Sequence, residues 1–180
     1  MTQRFKDKVV LISGAGQGIG LATAKRMSSE GAIIIAGILD DSQAEAVKDY
    51  DSVRLNVRHE ESWDATMDSL MKSHGGLDVL INNAGVNIID WLENFEESDW
   101  DKVMDTNAKG IYMMTKACLP GLIKSKGTVI NIVSNAAHMP MTCSLAYNAS
   151  KGAAHIMTLQ MARELTKKHG ITVFGIAPNK

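Results

Sequence analysis

The first forty residues leave little freedom of fold. Lys8-Val9-Val10-Leu11-Ile12-Ser13 is a short apolar, β-branched run, and it passes straight into Gly14-Ala15-Gly16-Gln17-Gly18-Ile19-Gly20. Leu21 to Met27 then carries helical spacing, and Ala32-Ile33-Ile34-Ile35-Ala36 is a second apolar run ending at Gly37. Strand, glycine turn, helix and strand within about thirty residues make a βαβ unit, the seed of a parallel sheet. The right-handed crossover lays the helix on one sheet face, with its N-terminus at the carboxyl edge of the first strand. The rest of the chain repeats this alternation. Strands are expected at Ser52–Val57, Leu77–Ile81, Thr128–Val133 and Ile171–Ile176. Helices are expected at Ser42–Lys48, from Glu61 to Lys72, from Ser98 to Ile123, and from about Leu145. The expected fold is α/β, a Rossmann-type doubly wound parallel sheet with helices on both faces.

With 180 residues, of which 45% are hydrophobic, the chain can build one core, and residues 1–180 read as a single domain. A net charge of −1 gives no reason to expect nucleic acid or an anionic membrane as partner. No apolar stretch reaches bilayer-spanning length, and the charged N-terminus does not read as a signal peptide. Two cysteines, Cys118 and Cys143, make no disulfide framework and suit a cytoplasmic protein. The five histidines show no ligand spacing, so no metal is expected.

The glycine turn lets the backbone bend sharply and approach a ligand, and the first helical N–H groups attract a pyrophosphate. Its spacing is Gly14-x-x-x-Gly18-x-Gly20. An acid after the second strand would accept hydrogen bonds from an adenosine ribose and disfavour a 2′-phosphate. Asp40 or Asp41 could serve, or could instead cap the following helix. No Arg or Lys lies at that strand end, and Gln17 rather than a basic residue sits in the turn. The balance leans to NAD over NADP. Asn82-Asn83-Ala84-Gly85 closes the fourth strand, where its amides could hold a ribose or a neighbouring strand.

Chemistry concentrates between Ser134 and Lys151. Tyr147 and Lys151 lie four apart, on one helix face, with the hydroxyl of Ser134 at the preceding strand end. An adjacent ammonium stabilises a phenolate, so such a tyrosine can give a proton to a carbonyl oxygen or take one from an alcohol. Ile111-Tyr112-Met113-Met114 is apolar at four successive helical positions, which points to one side on the sheet and the other on a partner subunit.

Taken together, these residues resemble a short-chain dehydrogenase/reductase. The matches are Ser13-Gly14-x-x-x-Gly18-Ile19-Gly20, Asn82-Asn83-Ala84-Gly85, Asn107, Ser134 and Tyr147-x-x-x-Lys151, in the right order along essentially the whole chain. The family's serine commonly precedes its tyrosine by thirteen residues, as here (147 − 134 = 13). The resemblance implies hydride transfer between a nicotinamide cofactor, NAD or NADP, and an alcohol, ketone or aldehyde. It implies Tyr147 as acid/base, Lys151 as the residue that lowers its pKa and holds the nicotinamide ribose, and Ser134 on the substrate oxygen. Asn107 would hold a water in a relay to Lys151. Gly14, Gln17, Gly18, Ile19 and Gly20 would cradle the cofactor. Asn83, Ala84 and Gly85 would line its ribose, Asn56 and Val57 would flank adenine, Asp40 would take the adenosine ribose, and Pro178 would sit beside the nicotinamide. Val86, Asn87, Trp91, Asn135, Met141 and Leu145 are expected around the substrate. The family departures are Ser13 for threonine, Asn56 for aspartate and Asn179 for glycine. Family members also continue into a further strand and lid helices, which this sequence does not include. A homodimer or homotetramer is expected, packed through the Ile111–Met114 segment and the helix from Ala149 to Leu165. The alternative is a catalytically silent nucleotide-binding or dimerisation module of the same fold. Another Rossmann enzyme, such as a methyltransferase, would leave Ser134, Tyr147 and Lys151 unexplained.

Overall fold

The computed structural model describes residues 3–179. Six parallel strands form one sheet: β1 (Val9–Ser13), β2 (Ile33–Ile38), β3 (Asp51–Arg54), β4 (Val79–Asn82), β5 (Thr128–Ile132) and β6 (Thr172–Ile176). Their order is β3-β2-β1-β4-β5-β6. The winding therefore reverses between β1 and β4, and open sheets of this kind bind ligands outside the strands' carboxyl ends at that point.

Alternate residues of each strand feed two cores. Val9, Leu11, Ile35, Leu80, Val129 and Val173 face one side, against Trp63, Met67 and Leu70 of α2 (Glu60–His74) and Met114, Cys118 and Leu122 of α4 (Gly110–Ser125). Met161 and Leu165 of α5 (Leu145–His169) pack at the edge of the same core. Val10, Ile12, Ile34, Ala36, Ile38 and Ile81 face the other side, against Ala24 and Met27 of α1 (Gly18–Ser29). At the sheet edge this second face is open, and Phe174 and Ile176 remain exposed.

Several boundaries differ from the sequence expectation. Residues 42–48 do not form an α-helix; they make two short 3₁₀ turns, Asp41–Gln43 and Glu45–Val47. Strand β3 ends early because the Asn56 side chain accepts from Arg58 N at 3.1 Å and turns the chain. The helix expected from Ser98 to Ile123 is broken. It becomes α3 (Glu97–Met104), a π-helical turn over Asp105–Lys109, and α4. Ser98 does not cap it: α3 starts one residue earlier, after Glu96 and without a side-chain cap. In α4, Ile111 and Met114 are buried while Tyr112 faces outward.

A buried polar chain joins the layers. Asn82 Nδ2 donates to Thr115 Oγ1 (3.1 Å) on α4 and to Asn131 Oδ1 (2.8 Å) on β5. Asn131 Nδ2 in turn donates to Thr158 Oγ1 (2.8 Å) on α5. Buried amides without partners are expensive, so these bonds lock strand register and both helices together. Asn82 thus holds neighbouring elements.

Candidate active site

A cleft of about 990 Å³ runs along the carboxyl edge of the sheet. Its floor is the end of β1, and the turn there depends on glycine geometry. Gly14 has φ +65°, and a Cβ on Gly20 would lie 2.3 Å from Gly14 O. Helix α1 can therefore approach β1 only because residue 20 has no side chain. Gln17 precedes α1 without a side-chain cap, so the first N–H groups of the helix are left for a ligand. Gly14, Gln17 and Ile19 line the cleft; Gly18 and Gly20 do not, and they act through turn and packing instead.

Ser13 staples this turn to β4. Its Oγ accepts from Asn83 N (3.0 Å) and Ala84 N (3.1 Å), while Asn83 Nδ2 donates to the carbonyls of Ser13 and Gly14, both at 3.0 Å. Asn83, Ala84 and Gly85 line the cleft, with both hydrogens of the Asn83 amide held by backbone.

On the β4–β5 side, Tyr147, Lys151 and Ser134 converge on the cleft. Lys151 Nζ lies 5.8 Å from the Tyr147 ring centroid and donates to Ile132 O, at the end of β5, at 2.7 Å. Lys151 is buried, and the loss of hydration lowers its pKa from 10.5 to about 8. Ser134 Oγ accepts from Ala136 N (3.1 Å), so its own hydrogen is available to an oxygen in the cleft. Pro178 and Asn179 line the same end.

Asn107 sits in the π-helical turn, fully buried. Its Oδ1 accepts from Val86 N and its Nδ2 donates to Val86 O, both at 2.8 Å, and to Ser150 Oγ at 3.0 Å. A helix widened by one residue aims this amide across at the β4 loop, a common use of π-turns. With both hydrogens engaged, only a lone pair of Oδ1 is left for a water. Gly85 lies between the two polar groups: a Cβ there would be 3.3 Å from Asn107 Oδ1 and 3.7 Å from Lys151 Nζ.

Asp40 does not join the site. Its carboxylate accepts from the backbone N and the hydroxyl of Ser42, capping the turn that follows β2. It is not among the residues lining the cleft. Asp41 pairs with Arg54, which the parallel register places beside Ile38 at the end of β2. The acid on which the NAD expectation rested caps the turn after β2 and does not line the cleft, because a carboxylate two residues before a backbone N–H closes a local turn with it. Asn56 and Val57 do line the cleft. Of the expected substrate neighbours, Val86, Asn87, Asn135 and Met141 line it, and Trp91 and Leu145 do not. Gln43, Arg58, Lys102 and Thr106 also line it, residues that no local motif marked.

Comparisons with known proteins find the same family signature and fold. A family model described as short chain dehydrogenase matches residues 8–180. The 3-oxoacyl-(acyl-carrier-protein) reductase of Vibrio cholerae serotype O1 is 35% identical over 180 residues, a match spanning 97% of this chain and 73% of that protein. The 2,5-dichloro-2,5-cyclohexadiene-1,4-diol dehydrogenase of Sphingobium indicum is 33% identical, with 99% of this chain and 74% of that one covered. A metagenomic short-chain oxidoreductase, solved in complex with NADP, superposes with a TM-score of 0.91 at 29% identity, over 98% of this chain and 84% of that one. A short chain dehydrogenase from Bacillus anthracis gives a TM-score of 0.91 at 28% identity, over 96% and 76%.

Proposed function

This chain belongs to the short-chain dehydrogenase family, and from that premise we propose that it works as an alcohol dehydrogenase or carbonyl reductase with Tyr147 as its general acid/base. The observation that carries the reading is the convergence of Tyr147, Lys151 and Ser134 on one cleft whose floor is a glycine turn. A bound nicotinamide dinucleotide would donate the hydride in carbonyl reduction and accept it in alcohol oxidation; the protein supplies position and a proton path.

Residues on both sides of the switch point line the cleft and would hold the dinucleotide. The glycine turn and the free N–H groups of α1 suit its pyrophosphate. Asn83, Ala84, Gly85 and Pro178 lie where the nicotinamide half must pass to meet Tyr147. Ser134 gives its hydrogen to the substrate oxygen, and Tyr147 transfers the proton to or from it. The Lys151 ammonium, fixed on Ile132 O, would stabilise the phenolate and hold the nicotinamide ribose. Asn107 positions the β4 loop beside Lys151 and offers Oδ1 to a relay water.

Residues 1–180 form the dinucleotide-binding and catalytic unit of this reading. Exposed Ile156 and Leu159 on α5, with Tyr112 on α4, form the face through which a homodimer or homotetramer assembles. Sedimentation as a monomer at micromolar concentration would remove that part of the proposal. The two cysteines are unpaired and suit a cytoplasmic setting. Among the described residues no helix is long and apolar enough to cross a membrane.

The test is Tyr147→Phe, assayed on a panel of ketones and alcohols with both cofactors. Turnover should fall by about 10²-fold or more while cofactor affinity stays within about threefold. Unchanged turnover removes Tyr147 from the role. A wild-type chain that binds cofactor and turns nothing over would favour the silent nucleotide-binding module instead.

A further inference from the structure

The wall of the cleft beyond Ser134 has a character that proton transfer does not require. Residues 133–144 join β5 to α5, and Asn135, Met139, Pro140 and Met141 of this loop line the cleft, with Val86 and Asn87 from the β4 loop. Met139 is 69% exposed and Met141 42%, two large apolar side chains left open beside the reaction centre.

Asn148, one residue after Tyr147 on α5, holds that loop in place. Its Oδ1 accepts from Met141 N (3.3 Å) and its Nδ2 donates to Met141 O (3.0 Å). One side-chain amide thus meets both backbone groups of a single residue, as a neighbouring strand would. These bonds take only backbone, so the Met141 thioether stays with the cleft. Asp90 N donates to Cys143 O at 2.9 Å, which draws the β4 loop alongside. That loop carries exposed Ile89, Trp91 and Leu92, so the apolar rim extends outward from the two methionines.

No charge serves this wall. Among the described residues no Asp or Glu lines the cleft, and its cations are Arg58 beyond β3, Lys102 on α3, and Lys151. Lys151 is already bound to Ile132 O. The Asp90 carboxylate closes its own turn, accepting from Trp91 N (2.7 Å) and Asn94 Nδ2 (3.1 Å). His138, in the loop itself, does not line the cleft and meets His155 of α5 edge-on, ring centroids 4.5 Å apart. A carboxylate brought here would lose water and gain no counter-charge. An alkyl or aryl group would instead cover apolar surface and meet polarisable sulfur.

We propose that this wall selects an uncharged carbonyl or alcohol substrate whose alkyl or aryl arm lies on Met139 and Met141, with Asn148 as the positioning residue that holds Met141 against it. The inference rests on the oxidoreductase reading above and gives it a substrate class. Tyr147 and Ser134 keep the reacting oxygen, and the methionines take the arm.

The experiment compares reduction of butanone, acetophenone and para-acetylbenzoate by the 180-residue chain, with NADH and with NADPH. Alongside it, the methionine methyl resonances are followed while acetophenone alone is titrated in. Acetophenone should exceed both other ketones in kcat/KM by about tenfold or more. It should move the Met139 and Met141 methyls and leave that of buried Met114 still. Asn148→Ala should raise KM for acetophenone about threefold to tenfold, hold kcat within about twofold and leave butanone unchanged. The same variant should speed hydrogen exchange at the Met141 amide. Met141→Lys puts a cation on the wall and should raise kcat/KM for para-acetylbenzoate by about tenfold, a gain that misfolding cannot produce. Circular dichroism and thermal melts confirm that each variant is folded. A wild type that reduces para-acetylbenzoate as well as acetophenone overturns the substrate class. Equal losses for acetophenone and butanone in Asn148→Ala make Asn148 merely structural and overturn its role. Butanone turnover with both methyls unmoved by acetophenone overturns the inference and leaves the oxidoreductase reading intact. A folded chain that reduces none of the three overturns that reading, and the substrate class with it.

Discussion

Replacing Lys151 by methionine should separate the stability of this protein from its chemistry. The lysine is 4% exposed, its ammonium held by Ile132 O, and burial lowers its pKa from 10.5 to about 8. Because the folded value is depressed, the unfolded chain binds more protons than the native one between those two values, and stability rises with pH across that window. At about 1.4 kcal/mol per unit, the full effect is about 3 kcal/mol, and about 2 kcal/mol of it develops between pH 7 and pH 9.5. Below pH 8 the native state carries the whole penalty of a buried charge. Lys151→Met has no proton to release, so its stability should lack this rise. Urea denaturation of both proteins at pH 7, 8.5 and 9.5 gives the test, since every other titrating group cancels in the difference. The variant's stability relative to wild type should fall by about 2 kcal/mol as the pH is raised, while its turnover is lost at every pH. Parallel stability curves would show that Lys151 is not a desolvated ammonium, and the account of its role as the phenolate's partner would fall with it.

The remaining predictions concern the scaffold of the site. Gly20→Ala forces a methyl to within 2.3 Å of Gly14 O, so it should destabilise by about 1–3 kcal/mol and weaken NADPH and NADH alike. An unchanged melting temperature would contradict the close approach of α1 to β1. Ser13→Ala leaves the N–H groups of Asn83 and Ala84 without their acceptor and should cost about 1–3 kcal/mol in urea denaturation, whereas Ser13→Thr should be nearly neutral. Glu30, held by Arg4 and Arg26, has its pKa lowered to about 2. Its contribution is present above the ordinary carboxylate range and disappears as pH falls from there through about 2, so Glu30→Gln should flatten the acid limb of the stability profile. Identical acid limbs in wild type and variant would remove that clamp from the account.

Runs of β-branched residues, glycine spacing and the Tyr147–Lys151 interval were enough to point to the strands, the glycine turn and the helix that carries Tyr147, because each is marked by a pattern within a few residues. Element type followed from local pattern except at residues 42–48 and in the π-turn, and Ser134, Tyr147 and Lys151 were marked by their spacing alone. Boundaries set by side chains reaching elsewhere were not. Asn107 reads as a poor helix former, but the π-turn exists because its amide bonds across to Val86 and Ser150. Asp40 reads equally well as a ribose ligand or a cap, and only the fold shows the carboxylate on Ser42. Arg54 is remote in sequence from the end of β2, yet parallel pairing of β2 with β3 carries it to that end of the sheet. The sequence by itself determined the alternation of strands and helices, the glycine turn and the Tyr147–Lys151 interval, all written in short-range spacing. The tertiary structure alone decided which charges face the cleft, because that depends on hydrogen-bond partners supplied by other strands and turns.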